Sequence, residues 1–266
     1  MAGGARGIQS IEVSGRILRA LVAKGEAMML KDLAQAADLA PAQCHAYLTS
    51  LRHIGLVQQK PESGLYYMGP LAMRLGIGWL RSDPLAAAAI RTMNALSIEL
   101  GVMALVAIWG EQGPTIVHLS EGLTATALNL RQGTLYSVSG TATGRAFAAF
   151  GDPAVVGAKI AQEYASTGKG RALGSKPDHE DLIALVAEIR RTGYATARGL
   201  PIPGVNAVSA PVYDDKAGLA LVISLVGPEK VLLVDDDAPA VAKLIEASAS
   251  ITITACRADG TLRRSI

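Results

Sequence analysis

The chain has 266 residues, half of them hydrophobic and 18% charged, with a formal net charge of +2. Two domains with packed cores are expected from these values, and bulk disorder is excluded. Two cysteines, Cys44 and Cys256, give no disulfide framework, and no apolar run reaches the roughly 18–20 residues that span a bilayer. The first nine residues lack an apolar signal stretch, so a cytoplasmic protein without a membrane partner is expected. The charge is uneven: nine lysines and arginines face five acids through Ser82, against sixteen and eighteen beyond it. A basic smaller part on a mildly acidic larger one suits a DNA-binding module joined to something else, although many solvated surfaces show such an excess.

In chain order, Ile8–Lys24 has helical spacing, with Ile11, Ile17, Leu18, Leu21 and Val22 as its apolar set and Gly25 as its stop. Leu30–Ala37 reads as a short second helix with Leu33 and Ala34 inward. A turn at Asp38–Ala40 leads through Pro41, a residue tolerated at a first helical position, into a third helix that buries Cys44, Tyr47, Leu48 and Leu51. Leu56–Gln59 and Leu65–Met68 flank a turn and read as a hairpin. Pro70–Leu80 is an apolar, helical connector, and Ser82-Asp83-Pro84 marks a boundary. Pro84–Leu100 is a further helix. Val102–Ile108 and Thr115–Glu121 form one hairpin, and Ala207–Tyr213 and Leu219–Val226 a second. Helices are expected at Ala142–Phe150, Pro153–Tyr164, His179–Thr192 and Pro239–Thr254. Hairpins mixed with helices, without β-α-β alternation, point to an antiparallel α+β second domain.

Three helices with a three-residue turn before the third, followed by a hairpin, form the winged helix-turn-helix order. Such a domain leaves one face of its third helix free for a DNA major groove about 12 Å wide. The outward positions there are Gln43, His45, Ala46, Thr49 and Arg52, and the wing offers Gln59 and Lys60 to the backbone. The plainer alternative is a helical domain whose polar face is merely solvated.

The motifs add a specific resemblance. Gln9-Ser10-Ile11-Glu12, Leu30-Lys31-Asp32-Leu33-Ala34, Gly55-Leu56-Val57 and Tyr67-Met68-Gly69-Pro70-Leu71 resemble the first domain of the IclR family of bacterial transcriptional regulators. Thr141-Ala142-Thr143-Gly144-Arg145-Ala146, Arg190–Ala195, Gly204–Val212 and Ser224–Pro228 resemble segments of that family's second domain, in the same order. The resemblance implies a winged helix-turn-helix over residues 1–70, a helical linker over 71–83 and a GAF-like effector domain over 84–266. It also implies double-stranded operator DNA and a small-molecule effector as partners, assembly as a homodimer or homotetramer, and no cofactor or catalytic residue. Carried over by position, the effector site comprises Leu128, Tyr136, Ala142, Thr143, Ala197, Val205, Ala207 and Ser224, with DNA contacts from Gln43, His45, Thr49, Arg52 and Lys60. Amides near Thr143 and Gly144 open a helix and suit a carboxylate, so a mostly apolar acid, such as a small aromatic carboxylate, is the expected effector. The chain departs from the family at Ala197, where acidic residues are common, and at Arg145, where lysine is usual. For each effector position, plain core packing is the competing reading.

Enzyme-like patterns do not hold together. Gly140–Arg145 lacks the P-loop spacing and ending, and Ser166-Thr167-Gly168-Lys169 lacks the companion motifs of a Ser-x-x-Lys hydrolase. Consecutive Cys44 and His45 diverge on a helix, and Asp235-Asp236-Asp237 reads as an acidic helix cap before a metal site. Arg145 reads as a support for its own turn and Arg131 as solvated. Two alternatives stay open: a small-molecule enzyme with an accessory DNA-binding-like domain, and a constitutive DNA-binding scaffold without ligand.

Overall fold

The computed structural model describes residues 7–123, 130–166, 174 and 176–258, with side chains through Thr252. The chain divides into two compact units at Ser82/Asp83.

The first unit contains α1 (Gln9–Lys24), α2 (Leu30–Ala36), α3 (Pro41–His53), the antiparallel pair β1 (Val57–Gln59) and β2 (Tyr66–Met68), and α4 (Pro70–Ser82). It is a winged helix-turn-helix. Pro41 occupies the start of α3, where its missing N–H costs nothing, and the helix buries Cys44, Leu48 and Leu51 at i, i+4 and i+7. Those three pack with Ile17, Leu21, Leu33, Val57 and Tyr66 into one core. On α1 the buried stripe is Val13, Ile17 and Leu21. Ile11 and Val22, which belong to the apolar set of the helix, are 68% and 60% exposed. A four-residue step through 13, 17 and 21 keeps one face, and neither position 11 nor 22 lies on it. Helix α4 buries none of its residues, and Met73, Leu75, Ile77 and Trp79 are all exposed.

The second unit is built on a five-stranded antiparallel sheet in the order β4-β3-β7-β6-β5. Its strands are β3 (Met103–Gly110), β4 (Gly113–Ser120), β5 (Ala195–Arg198), β6 (Val205–Tyr213) and β7 (Leu219–Pro228). Among the described residues five helices accompany it: α5 (Pro84–Leu100), α6 (Ala142–Phe150), α7 (Pro153–Ala165), α8 (His179–Thr192) and α9 (Pro239–Ala258). Asp83 caps α5, its carboxylate accepting from the amides of Leu85 and Ala86 at 2.9 and 3.3 Å, and Pro84 follows at the helix start.

The period-two alternation of the strands separates two cores. Leu221, Ile223 and Leu225 of β7 face Ala89 and Met93 of α5 and Val241 and Leu244 of α9. Val222 faces the other way, against Ala142, Ala146 and Phe147 of α6 and Ile189 of α8. Ser224 follows on that second face and is paired directly across the ladder with Ser209 of β6. Two buried hydroxyls therefore lie under the start of α6.

Candidate functional site

Helix α3 presents Gln43, His45, Thr49 and Arg52 to solvent, while Cys44 between them is buried. Burial raises the Cys44 thiol pKa, which suits a packed, unreactive side chain. The Thr49 hydroxyl donates to the His45 carbonyl at 3.0 Å, a local bond that uses its proton and leaves both lone pairs able to accept. Arg52 Nη1 donates to Gln59 Oε1 at 3.0 Å, and Gln59 Nε2 donates to the Gly64 carbonyl at 2.9 Å. This chain of bonds ties the exposed end of α3 to the wing. Thr49, Arg52, Gln58, Gln59 and Tyr67 line a groove of about 540 Å³ between helix and hairpin. Lys60, exposed, begins the turn of that hairpin.

In the second unit a cavity of about 40 Å³ lies between the start of α6 and the sheet. Its walls are Leu130, Tyr136, Thr141, Ala142, Thr143, Ala197, Val205, Ala207 and Val226, with Leu200, Pro201 and Ile202 along one edge. Six of the residues expected at an effector site thus come together: Tyr136, Ala142, Thr143, Ala197, Val205 and Ala207. Leu128 lies outside the described residues. Ser224 is not on the wall but behind it. Its Oγ is 2.9 Å from Thr143 Oγ1 and 2.8 Å from Ser209 Oγ, so three buried hydroxyls satisfy one another. Sequence reasoning missed Leu200–Ile202, Leu130, Thr141 and Val226. Thr141, the residue before Ala142, was legible as the start of α6.

The polar side chains of the cavity are few: Tyr136, Thr141 and Thr143. Thr141 Oγ1 accepts from the Gly144 amide at 2.9 Å and caps α6. The Gly144 amide is therefore engaged, which corrects the expectation that it is free for a ligand. The amides of Ala142 and Thr143 are first-turn donors with no intrahelical acceptor, at the positive end of the helix dipole. Tyr136 is buried, and desolvation raises its pKa above the usual phenol range, so it remains a neutral donor.

The wall from Tyr136 to Thr143 is held from behind by Glu163 of α7. Its carboxylate accepts from Ser137 Oγ at 2.9 Å, the Val138 amide at 2.7 Å, the Ser139 amide at 3.2 Å and Ser139 Oγ at 2.9 Å. Four donors on one carboxylate fix the loop that enters α6. Gly144 lets that loop approach closely, because a Cβ there would sit 2.0 Å from the Ser137 carbonyl oxygen.

Other acidic signals resolve into packing. Asp235 pairs with Arg198 at 2.8 Å, and Asp236 accepts from the Tyr194 hydroxyl at 2.7 Å. The Asp235–Asp237 run thus ties β5 and its neighbourhood to the segment before α9, a role beyond the helix cap expected of it. Among the described residues no cluster of three metal-ligating side chains occurs, and no helix is long and apolar enough to cross a membrane.

Two family models match the chain. The IclR helix-turn-helix domain matches residues 10–61, and the bacterial transcriptional regulator IclR C-terminal domain matches residues 78–253. The chain is 30% identical over 236 residues to the glycerol operon regulatory protein of Streptomyces griseus, covering 89% of this chain and 91% of that one. An IclR transcriptional regulator from Alicyclobacillus acidocaldarius shares the fold at 23% identity and a TM-score of 0.77, covering 94% of this chain and all of the other. An IclR homologue from Microbacterium hydrocarbonoxydans, solved in complex with 4-hydroxybenzoate, shares it at 19% identity and a TM-score of 0.74, covering 94% and 99%.

Proposed function

The chain belongs to the IclR family of bacterial transcriptional regulators, and from that premise we propose that a small, mostly apolar organic acid in the α6 cavity sets its affinity for operator DNA. It acts as a regulator rather than an enzyme, in the cytoplasm where its DNA is. The observation that carries the reading is the cavity itself: a mostly apolar pocket beside the start of α6, with Tyr136, Thr141 and Thr143 as its polar lining. A carboxylate held at the amides of Ala142 and Thr143 gains from the dipole of α6, and Tyr136 donates a further bond. Burying an unmatched polar atom against Ala197, Val205 and Ala207 would cost roughly 1–3 kcal/mol, whereas apolar surface gains about 25 cal/mol per Å².

Size refines the expectation. By the measure in which one water takes roughly 10–15 Å³, the cavity of about 40 Å³ holds about three. A ring therefore enters as the Leu200–Ile202 edge moves outward, and that movement supplies a conformational consequence of binding. The relative bound to 4-hydroxybenzoate supports an aromatic acid by likeness of fold.

On the DNA side, Gln43, His45, Thr49 and Arg52 lie in the major groove and Lys60 reaches the backbone. The exposed apolar residues of α1 and α4 pair two chains into a homodimer, the unit from which a homotetramer can be built. Within each chain residues 1–70 bind DNA, 71–83 link and 84–266 sense. The experiment is calorimetry of the full chain with benzoate-type and C2–C3 acids. Binding of the aromatic acids supports the reading. Tight binding of a polar C2–C3 acid with none of the aromatic ones overturns the preference, and binding of neither overturns the ligand site.

A further inference from the structure

Arg145, on α6, is 8% exposed. Its guanidinium engages two backbone carbonyls: Nε donates to Thr141 O and Nη2 to Thr196 O, both at 3.2 Å. Among the described residues no carboxylate forms an ion pair with it; the pairs join Arg16, Arg191, Arg198 and Lys243 to acids elsewhere. A buried charge without a counter-ion is costly, and burial accordingly lowers the pKa of this guanidinium. Holding a turn needs hydrogen bonds but not a charge, so the two carbonyls leave the cation itself unexplained.

The guanidinium lines a groove of about 600 Å³, distinct from the effector cavity. Lys176 lines the same groove, and its Nζ is anchored by the carbonyls of Glu163 at 2.8 Å and Ser166 at 3.2 Å. Asp181 and Glu188 of α8 also line it. Glu188 is already engaged by Arg191 on its own helix.

We infer that this groove is a second ligand site, taking a small oxyanion, carboxylate or phosphate, seated on Arg145 with Lys176 as the second cation. The planar fork of an arginine matches either oxyanion. Asp181 and Glu188 in the same lining disfavour a polyanion, which restricts the ligand to a small, lightly charged group. The site also touches the first one. Thr141 and Thr196 immediately precede Ala142 and Ala197, which line the effector cavity, and Leu200 lines both spaces. An anion on Arg145 therefore steadies the walls of the effector cavity, and the two ligands bind with coupled affinities.

The test does not depend on what fills the effector cavity. Equilibrium dialysis of the full-length protein against radiolabelled inorganic phosphate should find one ion per chain in the wild type. Lys176→Gln, at an exposed position, should weaken binding about three- to tenfold, the scale of one charge contact. Arg145→Met should abolish it, with a cooperative melt showing that the variant folds; if it does not fold, Lys176→Gln decides alone. Competition by acetate identifies a carboxylate ligand, and its failure to compete identifies a phosphate. Absence of both phosphate and acetate binding to the wild type, or unchanged phosphate binding in the variants, overturns the proposal.

Discussion

Arg52 illustrates how a single side chain is placed for two tasks. Its hydrogen bond to Gln59 joins α3 to the wing, so its guanidinium is oriented before DNA arrives. Arg52→Ala should weaken operator binding by on the order of 1–3 kcal/mol if the arginine reads a guanine, measured by fluorescence anisotropy across salt concentrations. Unchanged affinity and salt dependence would remove it from the interface. Glu163 is the corresponding residue in the second unit. Glu163→Gln keeps the shape but removes the charge that four donors share, so the Tyr136–Thr143 wall loosens. The expected outcome is a loss of roughly 1–3 kcal/mol in stability, with weaker effector binding by calorimetry. The residue scale is also where sequence reading reached its limit. Ser224 was expected on the lining of the effector site, but it lies behind the wall, and its pairing with Ser209 across the ladder, under Thr143, depends on strand register that no motif displays. Glu163 carried no signal at all, since its four donors lie 24–26 residues away in the chain.

At the scale of elements, the helix starts were legible because their chemistry is local. Pro41, Asp83-Pro84 and Asp152-Pro153 each mark a helix start by fixing φ or accepting first-turn amides. β5 was not foreseen: four residues, Ala195–Arg198, are too few to show a period, and pairing with β6 makes them a strand. The inward face of α1 was not legible either. Its apolar residues exceed one core stripe, so composition could not show which ones pack inward. The surplus has a use in the proposed dimer. Ile11→Asp on α1 with Leu75→Asp on α4 should convert the protein to a monomer in light scattering, leaving the melting of each unit little changed because both positions are exposed. A wild-type protein that is already a 27.5 kDa monomer at micromolar concentration would contradict the assembly. Helix α6 makes a separate demand. Gly144→Ala forces a Cβ to within 2.0 Å of one backbone oxygen and 2.7 Å of the Val138 Cα. Neither is a flexible side-chain end, so the wall must shift. Loss of effector binding is expected, with the melting of the first unit preserved; normal binding by the Gly144→Ala variant would show that the close approach is dispensable.

At the scale of the whole molecule, the fold class and, β5 apart, the order of elements followed from periodicity and punctuation, while the shape of the cavity did not. The cavity depends on β5, on the Leu200–Ile202 edge and on the loop that Glu163 holds, three features made by distant contacts. Together they serve the proposed coupling, in which occupancy of the second unit changes how tightly the first unit holds DNA. Coupling of this kind is commonly worth about 1–3 kcal/mol, or about 5- to 150-fold in affinity. The most direct measurement is fluorescence anisotropy of the full-length protein on an operator selected from random DNA, with and without a saturating aromatic acid. A shift of about fivefold or more is expected, and Ala207→Phe, which fills the cavity, should bind the DNA as the wild type does and show no shift. An affinity identical with and without an acid that calorimetry shows to be bound would contradict the account.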